Sequence, residues 1–318
     1  MNKVAKLTER DTQAYLFSIE KIVKDVGKTL LETNFKEISD THTYNGHESS
    51  TLDETARELM QNAIERYLPL FQGIIRCELR PFKKTSLESP KDESLCLIID
   101  ELDGTTNTKR AFSGAIRTRP VASISVALSA SENIGDIAVG AVFTLDTDDI
   151  FSSMKVGREL FLAFHNGRIL DPQKLKYTQG DSKKRVCVAG YSNSHRKKKA
   201  ELEDALWTRG FRPYEGCRAS SMDVINIIRN GFDAYIDMRH FWSTKDERGE
   251  EKESMLQAYD IAGVLPTAIG CGLAVTDAEG NNVAKYTLRD TIPLIIARAD
   301  ILETILTATR PLVSEWSR

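Results

Sequence analysis

The chain has 318 residues, of which 41% are hydrophobic and 28% are charged, a composition that excludes a largely disordered protein. Lys and Arg total 43 and Asp and Glu total 46, and this balance disfavours a nucleic-acid-binding protein, which normally carries a basic excess. No apolar run approaches the ~18 residues of a membrane span. The N-terminus lacks a signal-peptide core, and the five cysteines form no C-x-x-C pair, so a cytoplasmic protein without a disulfide framework is expected.

In chain order, the N-terminal half predicts helices followed by strands. Apolar residues at three- and four-residue steps predict one helix around 16–30 and another from Thr51 to about Pro69. The segment between them, 40–50, is polar and contains an Asn-Gly turn signal. Short apolar or alternating runs then predict strands, mostly of an antiparallel sheet, near 74–75, 95–99, 121–130, 137–144, 150–151 and 160–164.

The polar segment 172–185 predicts a boundary between two lobes, 1–180 and 181–318, which together form one catalytic unit. Beyond it, the patterns predict helices at 196–209, 222–229, 258–268 and 301–309, and strands at 186–189, 234–238, 274–275 and 292–297. The charged stretch His240–Ser254 predicts an exposed insertion. Helices and strands occur in both halves, so the class is mixed α and β.

The strongest chemical signal is the segment LIIDELDGTTN, in which an apolar strand leads directly into Asp100 and Asp103. Carboxylates at the end of a buried strand cost desolvation free energy, which a divalent cation would offset. Mg²⁺ prefers such oxygen ligands, and the Leu102 carbonyl could be a further one. Gly104 permits an unusual backbone angle, and the groups after it would bind an anion if they open a helix.

A purely structural interpretation also exists for this segment. A strand end capped by an Asx-turn, with Thr105 and Thr106 beginning a helix, is common for a short D-x-x-D-G sequence. The complete string is longer than that turn requires. Metal ligands beside an anion-binding helix start favour phosphate chemistry.

Two segments resemble the inositol monophosphatase-like family. Asp100–Asn107 (DELDGTTN) is similar to its D-P-x-D-G-T-x-N signature, and Tyr259–Gly263 (YDIAG) is similar to W-D-x-A-[AG], in the same order and at a similar separation. That superfamily includes inositol monophosphatases, archaeal-type fructose-1,6-bisphosphatases and 3′(2′),5′-bisphosphate nucleotidases. The resemblance implies an α+β fold, specifically a layered αβαβα sandwich.

The resemblance also implies a site that binds about two to three Mg²⁺ ions. Its metal ligands would be Glu78, Asp100, the Leu102 carbonyl, Asp103 and Asp260. Glu78 is the least specific assignment, because the family's G-E-E segment is reduced to Arg-Cys-Glu, and a solvated strand-end carboxylate is its alternative. Glu88 and Glu93 are weaker candidates for the same ligand.

By the same resemblance, Thr105 paired with Asp53 would help to activate the attacking water. The alternative for Asp53 is a carboxylate that favours the first turn of a helix. On the substrate side, the implied residues are Leu102, Asp103, Gly104, Thr105, Thr106, Ser221, Asp237 and Asp260. Ser221 could instead be a helix N-cap, and Asp237 could simply be the polar end of a strand.

Three departures from the family pattern bear on activity. Glu101 stands where the family has Pro, Tyr259 replaces Trp, and the 240–254 insertion separates Asp237 from Asp260. The insertion could select a substrate, bind a partner or act as a lid, and a surface loop is its alternative.

The motifs and the resemblance together predict a Mg²⁺-dependent phosphomonoesterase for a small soluble phosphate ester, such as an inositol monophosphate or a sugar phosphate. Alternatives are a 3′(2′),5′-bisphosphate nucleotidase, a fructose-1,6-bisphosphatase, or a catalytically impaired scaffold that binds phosphate ligands. The expected partner is a small phosphorylated metabolite, with no nucleic acid and no membrane. Because the family is often dimeric, a homodimer is also a prediction.

Overall fold

The computed structural model describes ten stretches of the chain, which are 7–33, 40–44, 47–71, 73–77, 95–113, 118–157, 160–173, 184–190, 196–242 and 255–317. Within them, the helices are α1 (Glu9–Glu32), α2 (Thr51–Tyr67), α3 (Thr105–Ser113), α4 (Arg196–Trp207), α5 (Ser220–Ile228), α6 (Ala258–Ala262), α7 (Leu265–Gly270) and α8 (Leu302–Trp316).

The strands of the described residues form three sheets. The pair β1 (Asp40–Tyr44) and β2 (His47–Ser50) is antiparallel. A seven-stranded sheet follows in chain order: β3 (Ile74–Cys77), β4 (Cys96–Asp103), β5 (Ser123–Ser129), β6 (Ile137–Thr144), β7 (Ile150–Val156), β8 (Leu160–His165) and β9 (Arg168–Ile169). A five-stranded sheet has the order β11 (Phe211–Glu215), β10 (Lys184–Val188), β12 (Ala234–Asp237), β14 (Leu294–Arg298) and β13 (Leu273–Asp277).

Strand direction differs between the two larger sheets. In the seven-stranded sheet only β3 and β4 are parallel, and every later neighbour is antiparallel. In the five-stranded sheet β10 is parallel to both β11 and β12, whereas β14 is antiparallel to its two neighbours. The chain passes from one sheet to the other through 174–183, which lies outside the described residues.

Alternate residues of each strand face different helical layers, because successive side chains point to opposite faces of a sheet. On β4, Leu97 and Ile99 pack in one core with α1 and α2, whereas Cys96 and Ile98 pack in a second core with α5, α6 and α7. That second core also takes one face of the five-stranded sheet, whose other face packs on α4 and α8. The result is the predicted α+β fold with layers in the order αβαβα.

Several predicted elements needed correction. The segment 40–50, expected to be a polar connection, contains β1 and β2, and the strand β11 was not predicted. The single helix expected at 258–268 is two helices, because α6 ends at Ala262 and Pro266, in the first turn of α7, lacks the N–H that would bond to the Ala262 carbonyl. In the expected exposed insertion, Trp242 is instead buried against Trp316, and 243–254 lies outside the described residues.

Candidate active site

A β-bulge places the two acids of the DELDG segment on one face of the sheet. Asp100 pairs with Ser125 and Asp103 pairs with Ser123, so three steps along β4 match two steps along β5. Without the extra residue, acids three apart would point to opposite faces. Residues opposite each other in a ladder share a face, and Ser125 lies against Gly263 in the middle layer. Both carboxylates therefore face the layer that contains α5 and α6.

Gly104 joins this strand to α3 in a way that requires glycine. Its φ of +96° is in the left-handed region, and a Cβ there would lie 3.0 Å from Val121 O and 3.1 Å from the Ala219 Cβ. Helix α3 begins at the next residue, Thr105, as the anion-binding interpretation requires. Thr106 is exposed in the first turn of this helix. The N–H groups of that turn, which have no acceptor within the helix itself, therefore lie beside the acidic strand end.

Thr105 and Asp53 are brought together from positions far apart in the chain. Thr105 Oγ1 donates to Asp53 Oδ1 at 2.7 Å and lies 3.2 Å from the Leu102 carbonyl. The other oxygen, Asp53 Oδ2, accepts from Ser50 N at 2.8 Å and from Ser50 Oγ at 2.7 Å, which caps α2. One carboxylate oxygen of Asp53 thus serves the first turn of α2 and the other bonds Thr105, whereas the role of this pair in activating a water stays a prediction. The helix cap holds the carboxylate that faces Thr105 in place.

Ser221 connects Asp103 to Asp260. Its backbone N–H donates to Asp103 Oδ2 at 2.7 Å, and its Oγ donates to the Asp260 carbonyl at 2.8 Å. The alternative prediction that Ser221 is a helix N-cap is wrong, because the N-cap of α5 is Ala219. Asp260 Oδ2 accepts from Gln257 N at 2.8 Å, which fixes this carboxylate at the start of α6.

The electrostatics of Asp103 and Asp260 are those of a site that lacks positive charge. Burial and the nearby charge of Asp260 raise the pKa of Asp103 to about 8, despite the Ser221 N–H. Burial raises the pKa of Asp260 to about 7, although the Gln257 N–H and the charge of Arg239 act against it. At neutral pH these carboxyl groups are therefore easily protonated unless a cation offsets their charge.

Asp237 is the last residue of β12, as its alternative interpretation expects. It is fully buried, and its oxygens accept from Arg239 Nη2 at 2.6 Å and from Tyr235 OH at 2.9 Å. Arg239 Nε also lies 3.0 Å from each oxygen of this carboxylate. Asp237 therefore pairs with a guanidinium of its own chain. Its predicted contact with a substrate hydroxyl stays a prediction.

The predicted metal ligands are only partly assembled within the described residues. Across those ten stretches, no three Asp, Glu, His or Cys side chains form a group that could hold a metal ion. Glu78 lies outside the described residues. Asp103 and Asp260 are the pair that the structure brings together. The charge of Asp260 adds to the burial that raises the pKa of Asp103, and a hard divalent cation would offset this effect. Asp100, buried on the same face, stays a predicted ligand.

Three polar contacts at the site were not anticipated from the sequence. Asn107 Nδ2 donates to Val121 O at 2.8 Å and to Cys217 O at 2.6 Å, which ties the loop before α5 to α3. Arg239 lies close enough to lower the pKa of Asp260. Gln257 holds the Asp260 side chain. The D-G-T-x-N string already contained Asn107, but nothing local in the sequence indicates which carbonyls its amide reaches.

The fold and the site together define an α+β protein with two large sheets and an acidic cluster beside a helix N-terminus. The sequence model of the inositol monophosphatase family matches residues 11–314, and the chain belongs to this family. A search of curated protein sequences found no significant match. In the described residues, no helix has both the length and the apolar character needed to cross a membrane.

Solved structures with the same fold cover nearly the whole chain. The extragenic suppressor protein SuhB from Bartonella henselae is 16% identical, with a TM-score of 0.66, over 93% of this chain and 98% of that one. An IMPase from Thermotoga maritima is 19% identical, with a TM-score of 0.65, over 94% and 98%. A calcium-bound IMPase family protein from Staphylococcus aureus is 17% identical, with a TM-score of 0.63, over 95% and 96%.

Proposed function

We propose that this protein is a Mg²⁺-dependent phosphomonoesterase that hydrolyses a small phosphate ester. The observation that carries the proposal is the hydrogen bond from Thr105 to Asp53, which lies beside the Asp103–Ser221–Asp260 cluster. The Thr105–Asp53 pair can move a proton, and the carboxylates of Asp103 and Asp260 can hold a cation. Membership of the inositol monophosphatase family supports the proposal.

Asp103 and Asp260 would hold the metal, together with the predicted ligands Asp100, the Leu102 carbonyl and Glu78. Bound Mg²⁺ would supply charge neutralisation for the phosphoryl oxygens and a lowered pKa for a coordinated water. A structure of an IMPase/NADP phosphatase with this fold, 16% identical, was solved with Mg²⁺ and phosphate. Carboxylate oxygens suited to Mg²⁺ and helix N–H groups suited to phosphate are both present in this chain.

Thr105 and Asp53 would manage the proton of the attacking water. Because the Thr105 hydroxyl donates to Asp53 Oδ1, its own oxygen lone pairs can accept a hydrogen bond from a water. As that water attacks phosphorus and the ester P–O bond breaks, the proton of the water passes to Thr105 Oγ1 and the hydroxyl proton passes to Asp53 Oδ1, while the leaving alcohol oxygen takes a proton from solvent water. The Ser50 contacts keep Asp53 oriented while this occurs.

The first turn of α3 would bind the phosphate. Thr105 and Thr106 begin this nine-residue helix, and the N-terminal end of a helix attracts anions through its N–H groups and dipole. Gly104 makes the sharp entry that brings this turn against β4. The substrate would be an inositol monophosphate or a sugar phosphate; a structure of SaIMPase-II, 14% identical, was solved with inositol monophosphate.

The test is phosphate release from a panel of inositol, sugar and nucleotide phosphates, with Mg²⁺ and with EDTA. We expect turnover of at least one ester in Mg²⁺, its loss in EDTA, and a fall of roughly a thousandfold or more in Asp103→Asn. Asp300→Asn is the matched control, because Asp300 is a surface carboxylate that is 55% exposed and remote from the site. Mg²⁺ binding without turnover across the panel would contradict the proposal and would instead indicate the scaffold.

A further inference from the structure

The far end of α5 is anchored as firmly as the end that carries Ser221. Arg229 follows the helix, and its Nη1 donates to Asp146 Oδ2 at 2.9 Å. Its Nη2 donates to Asp149 Oδ2 at 3.1 Å and to Thr144 Oγ1 at 3.0 Å, and it also contacts Thr147. One guanidinium thus takes four acceptors from the turn that connects β6 to β7, which we name the 144–149 turn.

The surroundings of Arg229 make these bonds strong. Its side chain is 23% exposed and Asp146 is 24% exposed, so both charges are partly removed from water. The guanidinium lies 5.3 Å from the ring centre of Phe151, and the His165 ring also stacks on Phe151. Burial raises the pKa of Asp149, but hydrogen bonds from Thr147, Asn166 and His165 outweigh it, so that pKa is well below its usual value.

Strand register shows why this anchor matters for the site. Asp103 pairs with Ser123 on β5, and Ser123 pairs with Thr144 on β6. Asp103 and Thr144 are therefore the two ends of one row across three strands, about 10 Å apart. Ser221 and Arg229 are eight residues apart along α5 and its end, or about 12 Å. Helix α5 thus lies along this row. Ser221 in its first turn contacts Asp103, and Arg229, directly after its last turn, contacts Thr144.

The apolar face of α5 could not fix this alignment alone. Val224, Ile225 and Ile228 are buried in the middle core. Apolar burial is not directional, so it holds the helix against the sheet without setting its position along the row. The fork of Arg229 is directional, and a shift of the helix would break several of its bonds at once. We propose that Arg229 is a positioning residue that sets where Ser221 meets Asp103 and Asp260, and through them the metal affinity and turnover of the site.

The effect of Arg229 on metal affinity and turnover rests on the proposed function. Its effect on the position of α5 does not. Two variants test it. Arg229→Met keeps the length of the side chain and removes the charge and the fork, and Arg229→Lys keeps the charge alone. Arg298→Met is the matched control, since Arg298 Nη1 bonds Asp233 at 2.9 Å and is 18% exposed, but it lies on β14 and bonds a residue beyond the end of α5.

The first measurement is the hydrogen-exchange rate of the Ser221 amide in metal-free protein. We expect Arg229→Met to raise the exchange rate of the Ser221 amide on the order of tenfold, because this variant releases the bond from that amide to Asp103. Arg298→Met should leave the rate unchanged when the two variants are compared at the same thermal stability. Equal exchange rates in the two variants would overturn the positioning role. This result decides the inference even if the protein hydrolyses none of the esters, in which case the proposed function alone fails.

The second measurement is Mg²⁺ affinity by calorimetry, with kcat and KM for the ester that the panel identifies. Arg229→Met should weaken Mg²⁺ binding and lower kcat by roughly tenfold, a typical effect of losing support behind metal ligands, with a smaller change in KM. Arg229→Lys should fall between this variant and the wild type. A loss of thermal stability in Arg229→Met with unchanged Mg²⁺ affinity and kcat would also overturn the inference.

Discussion

Buried carboxylates are treated differently in two parts of the middle layer. Asp237 at the end of β12 is paired with Arg239 and also accepts from Tyr235, so its charge is matched within the chain. Asp103 and Asp260 instead receive backbone N–H bonds, and burial raises the pKa of each. A chain that can place an arginine against one acid leaves two neighbouring acids without such a match. The difference marks Asp103 and Asp260 as the acids whose charge the proposed metal would offset.

The largest effect should come from breaking the matched pair. Arg239→Met leaves the Asp237 carboxylate buried without its cation, which typically costs about 3–5 kcal/mol of unfolding free energy. Urea denaturation of the metal-free protein measures this cost. The control is the double variant Asp237→Asn, Arg239→Met, which removes both charges and should recover much of the loss. If the single and double variants lose the same free energy, Asp237 and Arg239 are not a compensating pair.

The second prediction concerns Asp53, which caps α2 and also accepts from the Thr105 hydroxyl. Thr105→Ala removes the hydroxyl beside Asp53 and should lower kcat by roughly 100-fold, the lower range for a lost proton-transfer group. Unfolding free energy should change little, because Asp53 keeps its bonds to Ser50.

Thr105→Ser is the matched control for this experiment. It retains the hydroxyl and should keep most of the activity of the wild type. Steady-state kinetics together with urea denaturation separate the two effects. A Thr105→Ala variant that turns over normally would remove Thr105 from the proton path.

The smallest effect is a pH dependence of the metal-free protein. The pKa of Asp103 is raised from 3.8 to about 8 on folding, so the folded state holds a proton that the unfolded state has lost between these values. Stability contributed by this group is therefore complete below about pH 4 and declines as pH rises toward 8. We expect the unfolding free energy to fall by about 1–3 kcal/mol between pH 5 and pH 8.

Asp103→Asn sharpens this measurement, because an amide does not titrate. Its stability should vary less over the same pH range and should exceed that of the wild type at pH 8. Added Mg²⁺ should raise the stability of the wild type at pH 8 and have less effect on the variant. If the stability of the wild type varies with pH as little as that of Asp103→Asn, the pKa of Asp103 is not raised in the metal-free protein.

Much of the fold followed from local patterns, and the failures have physical causes. The apolar stripe of α1 and the alternation in β5 and β6 were readable because each element buries one or both faces in a core. The split between α6 and α7 had a local signal in Pro266, whereas the close approach of Gly263 to the Ser125 side chain of another element did not. Similarly, Trp242 lies in a charged stretch, and only its contact with Trp316 shows that it is buried.

The site shows the same division. By itself, the sequence determined that Asp100, Asp103 and Gly104 end an apolar strand and that a helix follows, because strand burial, glycine geometry and helix initiation are local properties. Only the tertiary structure decided that a bulge turns both acids to one face, that Thr105 meets Asp53, and that Ser221 joins Asp103 to Asp260. These contacts join residues as many as 118 positions apart. Their geometry depends on strand register and layer packing, which no short stretch of sequence encodes.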